Sequence, residues 1–125
     1  MKRLLLALFL FLTAPSVLAA TASGRDLLQR CTAYEKSQEG KELTPEESLD
    51  AMWCMGYVSG LLDGFSISDF RIGEVVAVCP PQATISRAEA LSIINRRLRQ
   101  YPEDLKNSGR RSAILALSQA YPCQK

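Results

Sequence analysis

The stretch TPEESLDAMWCMGYVSGLLDG, residues 44–64, reads as a helix with a strongly marked start. Thr44 suits the N-cap, Pro45 the first helical position, and Glu47 the reciprocal capping role three residues on. Leu49, Met52, Trp53, Tyr57 and Leu61 are the side chains expected to point inward, and the helix should fade near Gly64 or Phe65. Three glycines interrupt it at Gly56, Gly60 and Gly64, each costing a helix interior about 1 kcal/mol relative to alanine. Residues four apart share a face, so the three glycines predict a groove free of side chains where another backbone can approach. A neighbouring helix of the same chain is the simplest occupant, and a second subunit or a partner segment is the alternative. Asp63, beside the groove, is expected either to hydrogen-bond the connector after the helix or to present a charge to a partner.

Three further helical segments surround this one. Before it, residues 23–37 begin with Ser23 as a cap and Asp26 at the positive end of the helix dipole. Leu27, Cys31 and Tyr34 share one face there, with Leu28 beside them, and the polar SQEGKEL run is the connector. After it, residues 66–78 are the hardest to read. Their β-branched EVVAV run suits a short strand or an extended lead-in, but one short strand has no evident partner. CPPQAT then stops the chain and restarts it. Ser86 and Glu89 form a second capping-box pattern, followed by Leu91, Ile94, Leu98 and Tyr101 at helical spacing, with Arg96, Arg97 and Arg99 at the negative end of the dipole. Pro102 ends that helix. A last one follows KNSG, with Ile114, Leu117 and Tyr121 on one face, and Pro122 closes it.

The chain opens with MKRLLLALFLFLTAPSVLAA, a basic start, an apolar run and small residues at Ala19 and Ala20. This is the pattern of a secretory signal peptide over residues 1–20, too short in its apolar part for a membrane anchor. A buried N-terminal helix is the alternative. The expectation is a soluble, exported, periplasmic protein with no membrane attachment after cleavage. Loss of Lys2 and Arg3 leaves thirteen basic and thirteen acidic residues, so the mature chain is near neutral. That charge provides no footprint for nucleic acid or anionic lipid.

Four cysteines remain in about 105 residues: Cys31, Cys54, Cys79 and Cys123. An even count in an exported domain implies two disulfides. A zinc site is disfavoured, since the chain has no histidine and no CxxC pair. Three pairings are open to four cysteines, and antiparallel neighbouring helices discriminate between them. Cys31 lies two turns before the end of its helix and Cys54 two turns after the start of the next, so the hairpin brings them level. Cys79 precedes the third helix and Cys123 follows the fourth, at the same end of a second hairpin. The expected pairs are therefore Cys31–Cys54 and Cys79–Cys123, and the expected fold is all-α: a small four-helix domain of two antiparallel hairpins stapled by two disulfides.

Chemistry is harder to find. Serine or cysteine nucleophiles have no histidine base, and neither Lys36 nor Lys106 sits in a sequence suggesting desolvation. Glu46–Glu47 and Glu103–Asp104 are adjacent carboxylates at helix starts, which the dipole explains. No phosphate loop and no metal-ligand spacing occurs. The residues thus point away from an enzyme, a cofactor or a metal, and toward a protein that binds something.

The order of motifs resembles a family. C-x-G-Y-V-x-G-x-x-D from Cys54 to Asp63, C-x-P-x-x-T from Cys79 to Thr84, YPEDL, and the terminal YPC follow one another over nearly all of residues 21–125. This is similar to the Rap/Tai family of immunity proteins. The resemblance implies a periplasmic, disulfide-bonded helical domain, a homodimer in many members, that blocks a peptidoglycan amidase effector of type VI secretion by occupying its substrate cleft. It further implies that the connection between the last two helices contacts the amidase. Here that is YPEDLKNSG, which makes Glu103, Asp104, Lys106 and Asn107 candidate contacts, with an ordinary solvated turn as the plain alternative. Two other functions remain open. One is an acid-activated chaperone of the HdeA type, in which protonated carboxylates would loosen a dimer at low pH. The other is an accessory subunit of an envelope complex.

Overall fold

The computed structural model describes residues 21–67, 71–72, 75–76, 78–80 and 85–123, with residues 65–67 and the four strand residues described by backbone alone. The expected leader over residues 1–20 lies outside them, as do Thr84 and residues 68–70, 73–74 and 77. Four α-helices result: α1 (Gly24–Gln38), α2 (Pro45–Ile67), α3 (Arg87–Gln100) and α4 (Gly109–Ala120), with a 3-10 helix (Pro102–Lys106) between the last two.

Local chemistry sets the helix starts. Ser23 and Asp26 form a full capping box on α1, the Asp26 amide donating to Ser23 Oγ at 3.2 Å and the Ser23 amide to Asp26 Oδ2 at 2.8 Å. Thr44 and Glu47 do the same for α2 at 3.2 and 2.8 Å. On α3 only half of the expected box forms. The Glu89 amide donates to Ser86 Oγ, but the Glu89 carboxylate accepts from the Tyr121 hydroxyl beyond the end of α4. Glu89 therefore ties α3 to α4 rather than closing its own cap.

Register in the first hairpin follows from three cross-links. Arg30–Asp50, Cys31–Cys54 and Lys36–Glu47 pair later residues of α1 with earlier residues of α2, so the helices run antiparallel. Cys79–Cys123 closes the second hairpin, helped by the Cys79 amide donating to the Tyr121 carbonyl at 2.9 Å. Both expected disulfides form, enclosing chain separations of 23 and 44 residues. Helix α1 lies centrally, packing against α2, α3, α4 and the 3-10 helix. The shared core is built from Leu27, Cys31, Cys54, Val58, Leu91, Ile94, Leu98 and Leu117, all essentially without solvent exposure. Asn95 is buried among them with neither amide atom hydrogen-bonded by the described residues, a polar cost within an otherwise apolar core.

Three expectations are corrected. The β-branched run does find a partner: Arg71–Ile72 (β1) pairs antiparallel with Val75–Val76 (β2), Arg71 opposite Val76 and Ile72 opposite Val75. Four residues of strand leave the class all-α. Tyr101 is 41% exposed, because it caps α3 as the chain turns away from the core. Leu49 and Met52 do not point inward. They are 68% and 65% exposed, and the inward face of α2 is Ala51, Cys54 and Val58. At about 100° per residue, positions 49 and 52 lie about 140–160° round the helix from Cys54, which the disulfide pins against α1.

Candidate functional site

The connection between α3 and α4 is anchored from beneath at every turn. Asp104 sits at the centre, 4% exposed, with Oδ2 accepting from Arg97 Nε at 2.7 Å and Oδ1 accepting from Asn107 Nδ2 at 3.1 Å. Its carbonyl accepts from the Ser112 hydroxyl at 3.0 Å and from the Asn107 amide at 3.1 Å. Arg97 also donates to Gln119 on α4 and stacks over the Tyr101 ring at 4.7 Å. Leu105 packs on the core. A buried charge is costly unless paired and hydrogen-bonded, and here both conditions hold for Asp104 and Arg97.

A second anchor comes from the start of the chain. The Gly24 amide donates to the Asn107 carbonyl at 2.8 Å, and the Gly109 amide donates to the Ala22 carbonyl at 2.6 Å, around an antiparallel bridge between Ser23 and Ser108. The two helix starts thus clasp each other in a near-symmetric way. The Gly24 side needs glycine, and the Gly109 side is tight for anything larger. A Cβ at Gly24 would lie 2.4 Å from the Asp104 carbonyl oxygen, and one at Gly109 would lie 3.1 Å from the Ala22 carbonyl oxygen. These were not among the glycines the sequence singled out. The signal that identifies them is a repeated tripeptide, Ser23-Gly24-Arg25 and Ser108-Gly109-Arg110, a cap followed by a residue without a side chain at each helix start.

The four candidate contacts therefore separate. Asp104 is buried and engaged, so its carboxylate is not available to a partner, and Asn107 is half-buried with its amide on Asp104. Glu103 and Lys106 are exposed, with Pro102 and Tyr101 beside them. What the turn presents outward is an aromatic ring, a proline and one charge of each sign on a fixed base.

Among the described residues, no helix packs over Gly56, Gly60 or Gly64. No atom of the described residues comes within 4 Å of a Cβ built on any of them. Gly56 and Gly60 instead lie on the exposed side of α2 with Leu49 and Met52, and Gly64 is half-buried. Asp63 is exposed there, with no hydrogen bond or ion pair to any described residue.

A cleft of about 320 Å³ opens between α1 and α2, lined by Gln29, Thr32, Ala33, Lys36, Glu46, Glu47 and Asp50. Its charges are largely spoken for: Lys36 Nζ reaches both Glu47 oxygens at 2.8 Å, and Asp50 lies 3.6 Å from Arg30. The Lys36 hydrogen bond, with the Thr44 amide, holds the Glu47 carboxyl below its ordinary range. Among the described residues no group of histidine, cysteine, aspartate and glutamate side chains is placed to hold a metal ion, and no helix is long and apolar enough to cross a membrane.

These features define a class: a disulfide-stapled helical domain carrying a preorganised, outward-facing turn. The family model of the Rap1a immunity proteins matches residues 23–123, and the chain belongs to that family. The match spans both disulfides and the anchored turn, and it begins at the clasping Ser23. No curated protein and no solved structure matches the chain. Membership implies a protein that acts by binding a partner effector protein.

Proposed function

We propose that the protein is a non-catalytic, periplasmic immunity protein, exported by cleavage of residues 1–20, that inhibits a peptidoglycan amidase effector of type VI secretion. The α3–α4 connection enters the amidase cleft and excludes substrate. One observation carries this reading: Tyr101, Pro102, Glu103 and Lys106 project from a turn whose base is locked by Arg97, Asp104, Asn107 and the Gly24–Gly109 clasp. A turn already held in one shape loses little conformational freedom on binding, so more of its contact energy appears as affinity. Glu103 and Lys106 supply the contacts, and Asp104 and Asn107 supply the shape. The same reading has the protein act as a homodimer.

The test is inhibition of a purified candidate amidase by the mature protein, together with survival of bacteria that express the amidase in the periplasm. Charge reversal at both exposed positions, Glu103→Lys with Lys106→Glu, should weaken inhibition at least about tenfold, as loss of central contacts does. It should leave the unfolding free energy within about 0.5 kcal/mol, as expected at exposed sites. Undiminished inhibition by that double variant would remove the turn from the mechanism, and failure to bind any amidase would remove the target class.

A further inference from the structure

The clasped starts of α1 and α4 gather charge that the fold does not use. Arg25 follows Gly24, Arg110 and Arg111 follow Gly109, and Lys106 precedes Asn107, so these cations all stand close to the Ser23–Ser108 bridge. All are exposed, and none forms an ion pair or a side-chain hydrogen bond with a described residue. Asp26, the acid next to Arg25, is closed into the α1 cap by Ser23. The helix dipole makes cations unfavourable at a helix start, yet the first turn of α4 holds Arg110 and Arg111 and no acid. Tyr57 completes the group. A Cβ at Gly109 would lie 3.2 Å from its hydroxyl oxygen, which hydrogen-bonds to no described residue. Burial pushes that hydroxyl above the ordinary phenol range against the pull of Arg110, so it remains a proton donor at neutral pH. Trp53, the sole tryptophan, stacks on the Tyr57 ring at 5.0 Å.

We infer that this face, with Arg25, Lys106, Arg110 and Arg111 around the Tyr57 hydroxyl, docks an acidic segment of a partner protein. Guanidinium groups take carboxylates through parallel hydrogen bonds, and the phenol adds a further donor. The even balance of charge in the mature chain hides this local excess, because acids without an ion pair among the described residues lie elsewhere. Glu42 and Glu46 stand past the far end of α1, about 20 Å away. Charge separated in this way steers an acidic partner onto the clasped end. Lys106 belongs to the α3–α4 turn as well, so the face is continuous with the surface the turn presents. A folded protein fits the face better than a membrane does. Glu103 is exposed at its margin, and a partner protein can set a cation opposite it, whereas an anionic lipid surface can only repel it. Carboxylates seated here would also offset the misplaced charge at the start of α4. The inference goes beyond inhibition of an amidase and does not depend on it.

Binding of a hexaglutamate peptide to the mature protein at low ionic strength tests it, read by Trp53 emission and by amide chemical shifts. The peptide should bind, move the amide signals of Gly109 to Arg111, and dissociate as salt is added. Arg110→Glu with Arg111→Glu should weaken binding at least about tenfold. The same pair should raise the unfolding temperature, because acids suit a helix start, so lost binding would not reflect a lost fold. Tyr57→Phe should weaken binding about threefold with helix content unchanged, as loss of one neutral hydrogen bond does. Lys41→Glu, beyond the far end of α1, should leave binding within about twofold, since exposed charges so far apart are screened. Absence of binding, equal losses for Lys41→Glu and for the arginine pair, or shifts confined to other helices would each overturn the inference. Binding to phosphatidylglycerol vesicles but not to hexaglutamate would overturn it too, and would assign the face to a membrane. None of these outcomes requires an amidase, so the two readings fail separately.

Discussion

At the scale of the residue, the same amino acid has opposite roles within one chain. Gly24 lies where backbone meets backbone, and a methyl group there would overlap the Asp104 carbonyl oxygen at 2.4 Å. Gly60 lies on an exposed helix surface, with no described residue within 4 Å of a Cβ there. Gly24→Ala should destabilise the protein by about 1–3 kcal/mol, the range for overpacking a close contact, and should shift the 3-10 helix with it. Gly60→Ala should instead stabilise the isolated chain by up to about 1 kcal/mol, because alanine is the better helix former. Denaturant unfolding at a concentration low enough to keep the chain monomeric checks both; equal effects at the two sites would contradict the structure. The contrast also shows what was legible. The regular spacing of Gly56, Gly60 and Gly64 drew the eye, whereas the glycines that the fold requires sit singly, far apart in sequence. A repeat of Ser-Gly-Arg is a faint signal beside three glycines in register.

At the scale of the element, helix starts were readable because capping is local. Ser23–Asp26 and Thr44–Glu47 are hydrogen-bonded within four residues, so neighbours in sequence suffice to form them. These caps carry a pH dependence with a definite sign. Hydrogen bonds from the Ser23 hydroxyl and amide hold the Asp26 carboxyl below its ordinary range, and the Lys36 ammonium and Thr44 amide do so for Glu47. A carboxyl depressed in the folded state contributes stability that is fully present above its unfolded pKa and is lost as pH falls through the folded value. Unfolding free energy should therefore be insensitive to these groups above about pH 5 and should decline below about pH 4, where free carboxylates protonate. Glu47→Gln should lower stability at pH 7 and flatten the decline in acid; parallel profiles for the variant and the unmodified protein would contradict the assignment. The third cap was misread for a reason of the same kind. Glu89 has a competing donor, the Tyr121 hydroxyl, that lies 32 residues away and enters only when α4 folds back.

At the scale of the whole molecule, the two disulfides differ in reach. Cys31–Cys54 is wholly buried between α1 and α2, while Cys79 is exposed and Cys123 half-buried at the end of the second hairpin. Each removes chain entropy from the unfolded state, about 3–4 kcal/mol for loops of this length in that model. A thiolate must reach a sulfur to exchange with it, so accessibility orders their reduction. A mild dithiol under native conditions should open Cys79–Cys123 first and leave Cys31–Cys54 until the hairpin unfolds, as alkylation and mass mapping would show. Loss of both at one rate would mean that the second hairpin does not open independently of the first. The sequence by itself determined the helices, the capping boxes of α1 and α2 and the cysteine pairing, because each depends on short-range hydrogen bonds or on the short connections that make neighbouring helices antiparallel. Only the tertiary structure decided which side of α2 faces the core, since Leu49, Met52, Trp53, Val58 and Leu61 leave apolar groups around most of that helix and periodicity alone selects no face. It likewise decided that Asp104 is a foundation and Glu103 an exposed charge, because two adjacent carboxylates look alike until Arg97 folds over one of them.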